Sequence, residues 1–377
     1  MEKVKELKPN EILLEWWSEV KEKFWEEEVT PKLKEFLKLL MEDTMKEELQ
    51  AYTLAEWHER TDRRKDYRNG YYLRGLTTRF GQIEQLKVPR ARNGRFKTKV
   101  FKRYKRYQDI VEDVIEGVYL AGVSTKKVGM VIAKLLDQGV SSTKVSNVLK
   151  RLDKKVKEFQ RRQLLDEYQY LIFDAITLKA KESGRIRKRK VLVCLGITIF
   201  GIKEVVAFKQ VPKESEAVWE GFINDLYKRG LKGENLKLIV TDGHKGLRNA
   251  IELVYPYVLK QLCWVHKERR VLAYVPVREK QECAKGIKRI YNASNKQEAI
   301  KEFKKWKMKW QDKRPNAVRC LEKDLEELLY FYEMPEKHWK KIRTTNAIER
   351  TFREVRRRTR VLNVFMSRQS CDRIIYA

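Results

Sequence analysis

The chain has 377 residues, and its 84 Lys and Arg against 53 Asp and Glu give a formal charge of +31, which favours a polyanionic partner, nucleic acid before a membrane surface. That length supports two or three domains with a sizeable core, and an aromatic content of 11% excludes a disordered basic tail. No run of about 18 apolar residues crosses a bilayer, the first residues lack the apolar core of a signal peptide, and five scattered cysteines fit a reduced cytoplasmic protein.

Residues 10–60 read as helical. Ile12, Trp16, Val20 and Phe24 recur at fourfold spacing, and Leu33, Leu37, Leu40 and Met41 continue the pattern, as stripes that pack in a core or a dimer. From Asn69-Gly70 the period changes to two, and residues 71–79 and 83–88, around a turn at Phe80-Gly81-Gln82, predict a β-hairpin closed by Pro89. A basic run follows, from Arg90 to Arg106, with Phe96, Phe101, Tyr104 and Tyr107 interleaved; it is either a solvated surface or an arm that tracks phosphates. Residues 110–120 predict an amphipathic helix. Ser124 is placed to cap the next one, with Val128, Ile132, Leu135 and Leu136, and after a turn over 137–142 another helix carries Val145, Val148, Leu149 and Leu152. This matches a helix-turn-helix, although a plain antiparallel helix pair gives the same pattern. With the charge, it predicts DNA binding through Lys144, Asn147, Lys150 and Arg151.

Residues 170–178 read as a buried strand with Asp174 at its centre, on the same face as Ile172 and Ile176. A buried carboxylate is costly unless it is paired, hydrogen-bonded or bound to a metal. The patch 185–190 predicts a basic hairpin turn, with Arg185 and Arg187 as candidate DNA contacts. Two more strands follow, over 191–200 and 204–211, then a helix over 215–229 and a buried strand over 236–241. Three meandering strands, a helix and a buried strand predict a mixed sheet of the ribonuclease H-like kind.

That last strand runs into Asp242, at the carboxyl end where open α/β sheets collect ligands; the alternative is that Asp242 caps the helix beginning near His244. A third acid, Glu349, completes a capping box if Asn346 is the N-cap, yet it also shares a flank with Arg353, Arg356 and Arg360. Two strand aspartates and a helix glutamate make an oxygen-rich pocket of the kind Mg²⁺ takes, and two such ions about 3.5–4 Å apart serve phosphodiester displacement. Cys263-x-x-His266 offers too few ligands for zinc. It packs a strand-helix junction or acts near a DNA strand end, and Trp264 between them is core or stacks on an unpaired base. Residues 267–340 predict a helical insertion, a lid or a further contact surface through Lys304, Lys305, Lys307 and Lys309.

Asp174 in its strand, Thr241-Asp242-Gly243-His244-Lys245-Gly246-Leu247, Cys263-Trp264-Val265-His266-Lys267 and Arg343-Thr344-Thr345-Asn346-Ala347-Ile348-Glu349-Arg350 resemble the Mutator-type bacterial insertion-sequence transposases. Tyr67-Arg68-Asn69-Gly70-Tyr71-Tyr72 and Tyr119-Leu120-Ala121-Gly122-Val123-Ser124-Thr125 extend the resemblance over nearly the whole chain. It implies a DDE transposase with Mg²⁺ or Mn²⁺ as cofactor, acting on transposon-end DNA, in which Asp174, Asp242 and Glu349 are the metal-binding acids. The expected architecture is α/β: a ribonuclease H-like mixed-sheet core with a helical insertion, after a mostly helical DNA-binding region with a β-hairpin and a helix-turn-helix. Its segments are 1–66 (helical, dimerising), 67–109 (hairpin and basic arm), 110–160 (helix-turn-helix), 161–266 (first part of the core), 267–340 (insertion) and 341–377 (catalytic helix and end of the core). The expected partners are double-stranded terminal repeats, target DNA and further copies of the chain in a homodimer or larger assembly. The rival expectations are an inactive repeat-binding copy and a ribonuclease H-like nuclease without a joining step.

Overall fold

Two sheets organise the protein, one in each of two units that meet in sequence at residues 150 and 151. The computed structural model describes residues 24–102, 107–136, 140–360 and 364–377. Ile12, Trp16 and Val20, the part of the basic arm from Arg103 to Arg106, and Asp137, Gln138 and Gly139 of the expected helix-turn-helix turn lie outside the described residues.

In the first unit, helix α1 (Thr30–Thr53) has a proline in its first turn, where no amide bond is forfeited. It packs Met41 and Met45 onto the hairpin β1 (Arg68–Thr78) and β2 (Gly81–Ala91), against Leu76, Ile83, Leu86 and Val88. The expected leucine stripe is only partly core: Leu37 touches this cluster, while Leu33 and Leu40 are exposed. Helices α2 (Asp109–Leu120), α3 (Thr125–Leu136) and α4 (Ser142–Arg161) follow. Val128, Ile132, Leu136, Val145, Val148 and Leu149 are buried, as their spacing predicts, whereas Leu135 of the same stripe is exposed. Ser124 Oγ accepts the Lys127 N–H at 3.4 Å, and Ser141 Oγ accepts the Lys144 N–H at 3.2 Å, satisfying first-turn amides of both helices. The start of α4 comes so close to α3 that a side chain at Gly129 would meet the Val140 carbonyl.

The second unit carries a five-stranded mixed sheet. β3 (Tyr168–Glu182), β4 (Arg185–Thr198) and β5 (Lys203–Val211) form the antiparallel meander. After helix α5 (Glu216–Lys228), β6 (Leu238–Thr241) pairs parallel with β3; after α6 (Lys245–Val254), β7 (Leu259–Leu262) pairs parallel with β6. The order is β5-β4-β3-β6-β7. The basic patch 185–190 is not the hairpin turn that its charge suggested. Ser183 and Gly184, both at positive φ, make a two-residue turn whose twist suits a hairpin, and the patch is the first half of β4. One face of the sheet packs Leu171, Phe173 and Cys194 against Trp219 and Phe222 of α5 and Leu247 and Ile251 of α6.

Then come α7 (Trp264–Leu272), α8 (Val277–Tyr291), α9 (Lys296–Trp310), α10 (Pro315–Glu322), α11 (Leu325–Leu329) and α12 (Glu336–Ile342), the expected helical stretch. Ile287, Ile290, Phe303, Trp306, Trp310, Leu321, Leu328 and Leu329 are buried within it. Lys305, Lys307 and Lys309 are each taken up by a carboxylate, of Glu302, Glu322 and Glu282. α13 (Asn346–Arg360) and α14 (Arg368–Tyr376) return to lie against β3. Arg373 on α14 clasps both oxygens of Asp153 at 2.7 Å. Among the described residues no helix is long and apolar enough to cross a membrane.

Candidate active site

Successive side chains of a strand point to opposite faces. Phe173 goes into the aromatic core under α5, so Asp174 goes to the other face with Ile172 and Ile176. The parallel register pairs Ile172 with Val240, and following it two residues on brings Asp174 level with Asp242, just past the end of β6. Asp174 Oδ1 accepts the next backbone amide, of Ala175, at 2.7 Å. Asp242 Oδ1 accepts the His244 N–H at 2.9 Å, so this acid does shape the turn into α6, while His244 occupies the capping position itself. The turn is possible because Gly243 takes φ +84°. Arg270 on α7 donates to the Asp242 carbonyl at 2.9 Å.

Glu349 is not the capping-box residue that the sequence allowed. Asn346 is already helical, and the Glu349 N–H bonds to the Thr345 carbonyl at 3.0 Å, which makes Thr345 the cap and Glu349 the fourth residue of α13. Its carboxylate lies instead beside two basic side chains of α7, Arg269 and His266. Oε1 is 3.7 Å from Arg269 Nη1 and 3.9 Å from His266 Nε2. Thr345 is fastened to the strand ends. The Cys263 N–H donates to the Thr241 carbonyl at 2.8 Å, and Cys263 Sγ accepts the Thr345 N–H at 3.2 Å. Thr345 Oγ1 stands 3.3 Å from that sulfur and 3.4 Å from His266 Nδ1. Cys263, directly after β7, thus ties the tip of β6 to the first turn of α13.

The charges of these groups act on one another. Burial pushes the Asp174 carboxyl up to about 6, the charges of Asp242 and Glu349 add to the shift, and the Ala175 amide and His266 oppose it. The hydrogen bond to Cys263 raises His266 above its ordinary value against the effect of burial, helped by the charges of Cys263, Asp174 and Asp242. Burial pushes the Cys263 thiol up, but its bonds to His266 and Thr345 outweigh this and hold it below the usual range. An all-oxygen donor set whose members repel one another and are half-buried suits a hard divalent cation in its chemistry. Among the described residues, however, no three His, Cys, Asp or Glu side chains stand close enough to form a ready-made metal group.

Arg353, Arg356 and Arg360 are exposed along α13, and Arg185 and Arg187 along β4. On α4 Asn147 and Lys150 are exposed, Lys144 sits over the Tyr107 ring at 5.0 Å, and Arg151 is half-buried. Trp264 has no face left for a base. It is fully buried, its indole N–H donates to the Leu328 carbonyl at 2.7 Å, and Tyr291 packs on its ring. Thr345 and Arg269 were missed from sequence. The Thr-Thr pair before Asn346 was the available signal for the former; nothing in the sequence marks Arg269 among so many basic residues.

The model of the transposase Mutator family matches residues 14–377. The chain belongs to that family. It is 34% identical over 345 residues to the transposase for insertion sequence element ISRM5 of Rhizobium meliloti, covering 92% of this chain and 86% of that one. It is 33% identical over 352 residues to the transposase for IS256 in transposon Tn4001 of Staphylococcus aureus, covering 91% and 88%. Against solved structures, this Mutator-family transposase aligns with the Mos1 strand transfer complex at 10% identity over 61% of this chain and 81% of the other, with a TM-score of 0.18 that carries no weight for the fold.

Proposed function

We propose that this transposase cuts and joins element-end DNA at Asp174, Asp242 and Glu349 on a ribonuclease H-like core. The observation that carries the reading is the register that brings Asp174 of β3 level with Asp242 at the end of β6, with the charge of Glu349 from the first turn of α13 acting on the same carboxyl. Each has a separate local explanation, but none of those explanations accounts for the three acids acting on the same neighbourhood. The two aspartates and Glu349 would hold Mg²⁺ or Mn²⁺, with water and substrate phosphate completing the shell. When bound, the metal supplies activation of the attacking oxygen and stabilisation of the leaving one.

The chain's own residues do the positioning. Thr345 and Cys263 fix the start of α13, and hence the place of Glu349, while Arg269 and His266 keep its carboxylate turned to the site. Arg353, Arg356 and Arg360 extend along α13 as phosphate contacts, with Arg185 and Arg187 along β4. Water is the nucleophile for cleavage, and the freed 3′-hydroxyl is the nucleophile for strand transfer. Helices α3 and α4 serve as the helix-turn-helix, reading the ends through Lys144, Asn147, Lys150 and Arg151. Joining two ends needs both held at once, so the working form is a dimer or larger.

Asp174→Asn and Glu349→Gln test the reading. Both should lose metal-dependent nicking of end DNA and keep binding it; retained cutting by either removes that residue from the site. Transfer of pre-cut ends separates a transposase from a nuclease with no joining step.

A further inference from the structure

A pocket opens on the face of the sheet that carries Asp174. Side chains opposite each other on paired antiparallel strands share a face. Asp174 pairs with Val193 and Ile172 with Leu195, so Leu195 points the same way as the acid. Leu195 forms the floor of a cavity of about 400 Å³ walled by Lys203 of β5, Lys340 and Lys341 of α12, and Asn346 and Arg350 of α13. Counted by strand spacing and rise, Leu195 lies on the order of 10 Å from Asp174. The turn of α13 that presents Glu349 to one side presents Arg350 to this cavity.

The charge balance here is lopsided. Four cations line the cavity against one carboxylate, Glu204, which is occupied by the Tyr168 hydroxyl. Among the described residues none of the four forms an ion pair, whereas Arg248, Lys267 and Arg373 of the same unit each meet an acid. Burial and the charges of Lys341 and Arg350 hold the Lys203 ammonium below its ordinary value. A concave, one-signed surface of this kind focuses potential on an anion, and Asn346, Thr344 and Thr351 add hydrogen-bonding groups on the wall.

We propose that this cavity seats a backbone phosphate of the DNA strand that passes Asp174, a few nucleotides from the bond to be cut. The seat fixes the strand's path across α13, so that the scissile phosphate arrives at the acids in one register. It rests on the assignment of Asp174, Asp242 and Glu349 to strand chemistry, but it is read by binding, so either can fail without the other.

Phosphate contacts carry no sequence information, so a random-sequence duplex is a sufficient probe. The full chain and the Lys203→Ala/Lys341→Ala variant are compared by fluorescence anisotropy over a range of NaCl concentrations. Loss of one to two phosphate contacts lowers the slope of log K against log salt by about 0.9–1.8. Affinity at low salt is expected to fall roughly tenfold. Lys203→Arg/Lys341→Arg should keep the wild-type slope, which separates lost contacts from damaged folding. An unchanged slope in the alanine variant overturns the proposal. So does an equal drop for Lys228→Ala/Lys285→Ala, exposed lysines elsewhere on the unit, because that would mean net charge alone. Nicking by these variants and by Asp174→Asn is scored separately and reports on the acids.

Discussion

The two faces of β3 solve opposite problems with alternate residues of one strand. On one, Leu171 and Phe173 disappear into an aromatic cluster with Trp219 and Phe222, rings set edge to face at 6.0–6.4 Å, and every atom is there for cohesion. On the other, Ile172 and Ile176 bracket Asp174, whose charge is unwelcome to its own neighbours. The packed face can tolerate the strained one because a strand buried this firmly cannot shift register to turn its acid outward. Cohesion is concentrated on the first face, and the acid proposed for chemistry stands on the second.

If that division is right, changes on the two faces should separate cleanly. The largest effect is expected from Asp242→Asn, which should lower metal-dependent nicking by at least about 1000-fold while end binding stays within about twofold. Nicking of a supercoiled plasmid carrying the element's ends, alongside anisotropy, reads both; a joint loss would break the comparison. Phe173→Ala, one residue away from Asp174, should instead cost about 3–5 kcal/mol in denaturant unfolding, the range for a truncated core aromatic. Cys263→Ala should reduce nicking by about 10- to 100-fold with little change in DNA binding, as expected for a group that orients an acid from behind, and Cys263→Ser should recover part of the loss.

The smallest effect carries a sign. Folded Asp174 keeps its proton up to about 6, against 3.8 when unfolded, so the folded state binds more protons between those values and stability falls as pH rises through that window. Asp174→Asn removes the penalty. In EDTA at neutral pH the variant should be more stable than the parent by about 1–2 kcal/mol after allowance for residual solvent contact, with the gain shrinking as the pH falls toward 4. A destabilised variant at neutral pH would show that the acid is held by favourable contacts instead.

Much of this was legible in the residues. Apolar spacing marked α3, α4 and α5, and the run around Asp174 marked β3 together with the anomaly that makes it a candidate site. What stayed hidden depends on partners far away in sequence. β7 is only Leu259–Leu262 and includes a fully buried Gln261, which no strand pattern favours. Its amide is satisfied by the Leu328 carbonyl and the Phe331 N–H, contributed by the insertion. The capping position of α13 moved from Asn346 to Thr345 because Cys263, more than 80 residues earlier, supplies a sulfur for the threonine amide. The Ser183-Gly184 turn was overshadowed by the basic run after it, since charge describes a surface and φ describes a turn.

The helical excursion leaves the sheet at Cys263 and comes back at Thr345, and its two feet touch: the Trp264 N–H meets the Arg343 carbonyl at 3.1 Å, beside the bond between Cys263 and Thr345. Everything between is a hoop whose feet share one clasp, with further footholds where Leu328 and Phe331 meet Gln261, Glu327 meets Arg248 and His338 meets Tyr170. The cost of closing such a hoop grows only with the logarithm of its length, so helices away from those footholds can be gained, lost or exchanged while the clasp still delivers Glu349 to the same place. Its architecture is free to diversify because its entrance and its exit are the same point.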